Sequence, residues 1–170
     1  MYQKIHREGI EVHRWVEPSG IYETHLHVRD LKKSVSFYQN QLGLKLCYSE
    51  PERKLAFFWV GQARQQMLGL WEKPEDQIVR SHFAFSVSLR DLELAPAFLA
   101  EQGIKYRDFF GNPGGEPTVH SWMPAASLYF EDPDGHSLEY IALLPEGPRP
   151  ELGAIPLSRW RELHQQIDKK

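Results

Sequence analysis

Residues 23–43 read ETHLHVRDLKKSVSFYQNQLG and residues 82–103 read HFAFSVSLRDLELAPAFLAEQG. In the first stretch Tyr22, Thr24, Leu26 and Val28 alternate with Glu23, His25 and His27, the period-two pattern of a strand with one apolar face. Asp30 then stands where a helix N-cap belongs. Leu31, Val35, Tyr38 and Leu42 follow at helical spacing, and Gly43 supplies the stop. The second stretch repeats the plan: residues 82–87 are strand-like, 89–102 are helical, and Gly103 closes the helix. Glu23 precedes Val28 by five residues and Gly43 by 20; His82 precedes Val87 by five and Gly103 by 21. Such matched spacing is the mark of one unit used twice, and it puts Glu23 and His82 at equivalent points of the two units.

Outward from these anchors, apolar runs at 44–48, 55–60 and 66–71 complete a strand-helix-strand-strand-strand order. In the second round, strands are predicted at 104–109, near 120–123, at 127–130 and at 137–143. The reading is therefore α+β, with paired βαβββ modules at 21–75 and 81–144 forming a curved mixed sheet. Residues 72–80 are charged, carry Pro74 and read as a linker; 1–20 read as an added arm, and 145–170 as a loop and a short helix. Pro96 lacks a backbone donor, so the second helix is expected either to begin late or to kink.

Composition bounds the function. With 41% hydrophobic residues in 170, the chain can bury a core, which excludes global disorder. Twenty basic against 23 acidic residues offer no general attraction to nucleic acid or to anionic membranes, so neither is expected as a partner. Cys47 is the single cysteine and cannot form an internal disulfide, and no apolar run reaches membrane-spanning length. A soluble cytoplasmic protein is the expectation. Eight histidines are the first sign of chemistry.

Ligand-type side chains sit at three strand positions: Glu23, His25 and His27 on one strand face, His82 opening the equivalent strand, and Glu139 inside the apolar run 137–141. Each has a plain alternative, as solvated polar face or satisfied structural histidine. Taken together, one His with two carboxylates, or two His with one carboxylate, makes a three-point site with open positions for substrate.

The stretches ETHLHVRDLKKSVSFYQNQLGLKL, SHFAFSV and SLYFEDPDGHSLEYI resemble the vicinal oxygen chelate superfamily of glyoxalases, bleomycin-resistance proteins and extradiol dioxygenases. The resemblance implies a curved sheet around one divalent metal (Fe, Mn or Zn). It implies ligands at Glu23, His82 and Glu139, with His25 as the alternative to Glu23. It also implies a small-molecule substrate and a homodimer. That last expectation is joined by the apolar stripe of Leu157, Trp160 and Ile167, which needs cover.

Departures from the pattern choose among activities. MLGLW puts Gly69 where glyoxalase I carries a carboxylate ligand, and HSWMPAAS lacks the basic residues that hold a phosphonate in fosfomycin enzymes. The run from Thr118 through His120, Tyr129 and Asp132 to Glu139 is similar to the signature of the ring-cleaving dioxygenases. That similarity implies His120 as acid-base group and Tyr129 as hydrogen-bonding group beside the metal. The resulting expectation is a metal-dependent, extradiol-dioxygenase-like enzyme. An isomerase or lyase is the second reading. The third is a non-catalytic binding or resistance protein whose Trp59, Trp71, Phe110 and Trp122 line a groove.

Overall fold

The computed structural model describes residues 4–7, 10–13, 16 and 18–165. The chain runs β1 (Lys4–Arg7), β2 (Ile10–His13), β3 (Glu23–Val28), α1 (Leu31–Ser36), β4 (Lys45–Glu50), β5 (Leu55–Val60) and β6 (Gln66–Glu72). It continues through β7 (His82–Ser86), α2 (Leu89–Glu101), β8 (Tyr106–Arg107), β9 (Thr118–His120), β10 (Ala125–Glu131), β11 (Ser137–Leu143), β12 (Ala154–Pro156) and α3 (Leu157–Gln165).

The repeat is visible in the pairing. One sheet has the order β3-β6-β5-β4, and the second module's strands run β7-β11-β10-β8, in each case first, last, third, second. In both, the first strand lies parallel to the last while the remaining contacts are antiparallel. The α+β class and the paired modules are thus as expected, but the single curved sheet is not: among the described residues the modules keep separate sheets. Among the described residues β3 and β7 each bond to one neighbouring strand.

Local chemistry accounts for the helices. Asp30 accepts the Lys33 N–H at 3.0 Å and starts α1, which continues as a π-helical turn over Phe37–Gln41 that buries Phe37 and Tyr38. Ser88 accepts the Asp91 N–H at 3.1 Å and starts α2 at Leu89, so the late start is corrected: Pro96 stands mid-helix. The strand expected over 104–109 shrinks to Tyr106–Arg107, because Asp108 turns its carboxylate onto Asn112 N–H and Nδ2, each at 2.8 Å, and closes a loop. The segment 145–156, expected as loop, contributes β12 at the edge of β9.

One apolar core joins the modules. Leu26, Val28, Tyr38, Phe58 and Leu70 pack with Leu92, Leu99, Leu128, Phe130 and Leu138. Leu157 and Trp160 of α3 are also in it, so the terminal stripe finds its cover within the chain; Ile167 lies outside the described residues.

The DPDGH turn between β10 and β11 is the polar clamp between modules. Asp132 Oδ1 accepts the Asp134 and His136 N–H groups, each at 2.9 Å, and Gly135 takes φ +82° to close the turn. Module one then holds the turn from outside. Tyr38 OH donates to Asp132 Oδ2 at 2.9 Å, and Arg29 Nε donates to Asp134 Oδ1 at 2.7 Å. His136 is fully buried: its Nδ1 accepts Ser81 N–H at 3.0 Å, so its Nε2–H donates to His27 O at 2.9 Å.

Candidate functional site

The register of the second sheet sets Tyr129 opposite Glu139, and His82 opposite Ser137. Alternation along each strand puts His82, Glu139, Tyr129 and Ser127 on one face. Glu139 is only 6% exposed, and a carboxylate so placed needs partners. Ser127 Oγ donates a short hydrogen bond to its Oε1, while Oε2 lies 3.1 Å from His82 Nε2. On the far side of that imidazole, Nδ1 is 3.0 Å from Ser137 O. A carbonyl can only accept, so Nδ1 carries a proton, and Nε2 is the ring nitrogen turned toward Glu139.

At 3.1 Å the imidazole nitrogen and the carboxylate oxygen are held together by a shared proton or by a cation. The donor set suits a divalent first-row ion: a carboxylate oxygen, an imidazole nitrogen, and a backbone carbonyl that fixes the tautomer from behind. His82 and Glu139 therefore fit two positions of the expected centre.

Next to them lie the two residues assigned to proton handling. His120 Nε2 is 2.9 Å from Tyr129 OH, and Phe109 packs edge-on against the His120 ring at 4.9 Å. Burial, and then the charge of Glu139, push the Tyr129 phenol up to about 12. It therefore stays protonated at neutral pH.

Glu23 and His25 lie on the other sheet. His25 Nε2 is 3.6 Å from Glu23 Oε1, and neither is in an ion pair with the His82–Glu139 couple. The His25 ring sits over Gly69, where an added Cβ would come within 2.7 Å of its Cδ2 and 2.8 Å of Phe57 Cε1. Gly69 is thus explained by close approach of this ring, which also meets Phe57 at 5.5 Å and Trp71 at 6.0 Å. That packing gives His25 a structural seat, while the Glu23 side chain is 48% exposed and uncommitted to packing. Glu23 and His82 line a common groove of about 410 Å³. Among the described residues no three His, Cys, Asp or Glu side chains come together closely enough to hold an ion. The structure brings His82, Glu139, His120 and Tyr129 together, while Glu23 shares a groove with His82 but pairs with His25.

The four aromatics proposed for a groove also separate. Trp59 and Trp71 are half-buried on the first sheet, whereas Phe110 and Trp122 are exposed on loops of the second module. Sequence reading missed Ser127, which secures Glu139, and Arg107, which register brings beside Tyr129. Ser127 stands two residues before Tyr129, so alternation carried its signal; nothing in the spacing marked Arg107.

Residues 20–140 match the Glyoxalase/Bleomycin resistance protein/Dioxygenase superfamily. Lactoylglutathione lyase of Neisseria meningitidis is 30% identical over 129 residues, 71% of this chain and 88% of that protein. Glutathione transferase FosA of Serratia marcescens is 31% identical over 121 residues, covering 67% of this chain and 74% of its own. Integron cassette protein HFX_CASS4, from the mobile metagenome of the Halifax Harbour sewage outfall, superposes with a TM-score of 0.65. It shares 32% identity and covers 74% of this chain and 100% of its own.

Proposed function

The chain belongs to the Glyoxalase/Bleomycin resistance protein/Dioxygenase superfamily, and from that premise we propose that it is a metal-dependent enzyme acting on a small substrate with two vicinal oxygens. Members of this family commonly bind a divalent metal and small-molecule substrates. The observation that carries the proposal is the His82–Glu139 couple, its tautomer fixed by Ser137 O, on the same sheet face as the His120–Tyr129 pair.

One Fe, Mn or Zn ion is held by His82 and Glu139, with Glu23 as the third ligand. This Glu23 is that of a second copy of the chain, since within one chain the Glu23 carboxylate pairs with His25 and, among the described residues, no third ligand-type side chain joins His82 and Glu139. When bound, the ion acts as a Lewis acid on adjacent substrate oxygens. The rest is done by side chains. Tyr129, protonated at neutral pH, donates a hydrogen bond to a substrate oxygen. His120 Nε2 takes or returns the proton, and Phe109 packs edge-on against its ring and holds its orientation.

The first reading of the reaction is cleavage of an aromatic diol with O2, favoured by the His120–Tyr129 pairing. Lyase or isomerase chemistry is the second reading. It is favoured by the lactoylglutathione lyase relative and by the packing of His25, which leaves a two-carboxylate, one-histidine ligand set rather than the two-histidine set usual for iron dioxygenases. The test is metal analysis of the purified protein, then oxygen uptake with a panel of catechols after anaerobic Fe(II) loading. Uptake supports the first reading. Metal binding with silence across the panel supports the second, and absence of metal binding leaves a non-catalytic binding or resistance protein.

A further inference from the structure

Arg107 is a half-buried guanidinium on the face that carries the candidate centre. The β8–β10 register sets it opposite Tyr129, which itself lies opposite Glu139. Its Cζ is 5.3 Å from the centroid of the Tyr129 ring, and Nη2 reaches across to Ser137 Oγ at 3.4 Å. Ser137 is also the residue whose carbonyl holds His82 Nδ1, so the guanidinium reaches the proposed ligand couple through Ser137 and the Tyr129 ring.

A partly desolvated cation ordinarily takes a carboxylate partner, because an unpaired charge is costly away from water. Arg107 is in no ion pair among the described residues. Of the carboxylates around it, Asp108 is held by Asn112, Glu139 by Ser127 and His82, and Asp132 by Tyr38, while Glu131, which lines the same surface groove, is exposed and forms no ion pair with it among the described residues. Contact with an aromatic face and one long bond to a neutral hydroxyl leave most of its five donors unused. A planar fork held open beside a metal couple matches a carboxylate, which it can bind through two parallel N–H···O bonds.

We propose that Arg107 is the anion-recognising residue of this site, and that the substrate carries a carboxylate beside its two vicinal oxygens. The inference rests on the metal-centre reading above and narrows it to one substrate class. Arg107 sets the orientation of the substrate through its charge, with Tyr129 and His120 then addressing the oxygen nearest their own hydrogen bond.

The test uses oxalate, which offers adjacent oxygens and negative charge. It is titrated calorimetrically into the full chain, metal-free and Mn(II)-loaded, as wild type, Arg107→Met and Arg107→Lys. Wild type binds oxalate. Arg107→Met weakens that binding by about ten- to a hundredfold, the range for a lost charge-assisted hydrogen bond, with Mn(II) content unchanged. Arg107→Lys keeps the charge without the fork and falls between the two, so it carries the test if the Met variant does not fold. Oxalate affinity equal in Arg107→Met and wild type would overturn the proposal, as would wild type that binds oxalate in neither form. Failure of the metal reading looks different: Mn(II) is not retained and loading leaves oxalate affinity unchanged, while the Arg107 effect is still read on metal-free protein.

Discussion

Replacing His136 with phenylalanine should cost about 3 kcal/mol of stability, although the residue touches neither substrate nor metal. The ring is fully buried, and each nitrogen holds a backbone group of a different segment: Ser81 N–H at 3.0 Å and His27 O at 2.9 Å. Phenylalanine fills similar space and makes neither bond, so one donor and one acceptor are stranded. Each stranded backbone group costs about 1–3 kcal/mol, and since both sites are only partly buried the lower half of that range applies to each. For a chain of this size the pair corresponds to a fall in melting temperature of roughly 6–12 °C. Ser81 precedes His82, so metal affinity should fall with stability, whereas His120→Gln should leave both intact. Thermal denaturation followed by circular dichroism reads the first effect and Mn(II) titration the second. A His136→Phe protein melting within about 2 °C of wild type would refute the clamp, because two lost buried bonds cannot be that cheap.

Four further outcomes follow from the same geometry. His120→Gln should reduce turnover by about 10² or more while elemental analysis shows unchanged metal, the signature of lost acid-base help. Glu23→Ala and Glu139→Ala should each lose metal, yet unfolding and refolding them together should restore about a quarter of the sites, since half the dimers are mixed and each mixed dimer rebuilds one site; no recovery would place Glu23 in the same chain as its co-ligands. Burial raises the Asp132 pKa in the folded protein above its ordinary 3.8, so its contribution is full below that value and is lost as pH rises through the folded one; Asp132→Asn should gain on wild type in urea midpoint as pH rises from the ordinary carboxylate range. Gly69→Ala should cost about 1–3 kcal/mol and shift the His25 ring resonances, because a Cβ there falls 2.7 Å from His25 Cδ2.

The repeat and its strand-helix anchors were legible because they depend on short-range physics: alternation in β3, the Asp30 and Ser88 caps, and the glycine stops at Gly43 and Gly103. The pairing candidates His82 and Glu139, which the structure sets 3.1 Å apart, were legible for a related reason. A charged or imidazole side chain within an apolar strand is costly unless something binds it, and that cost shows in one dimension. Pro96 misled, because the apolar face of α2, with Leu92, Ala95 and Leu99 buried, outweighs one missing backbone bond. The terminal stripe misled too, since only the folded chain shows Trp160 at 1% exposure against its own core.

Tertiary structure alone decided who faces whom. Arg107 lies 22 residues from Tyr129 in sequence, and it became a neighbour only through the β8–β10 register; a one-residue slip would have sent it to the opposite face. The DPDGH turn is plain in the sequence as a turn, but its role as the clamp that Tyr38, Arg29 and His27 grip from the other module is a property of packing. The pairing of Glu23 with His25, while Glu139 takes His82, is of the same kind. Periodicity fixes which face a side chain occupies, because the backbone repeat is local. The distance between two faces is set by how the modules dock, which depends on contacts far apart in the chain.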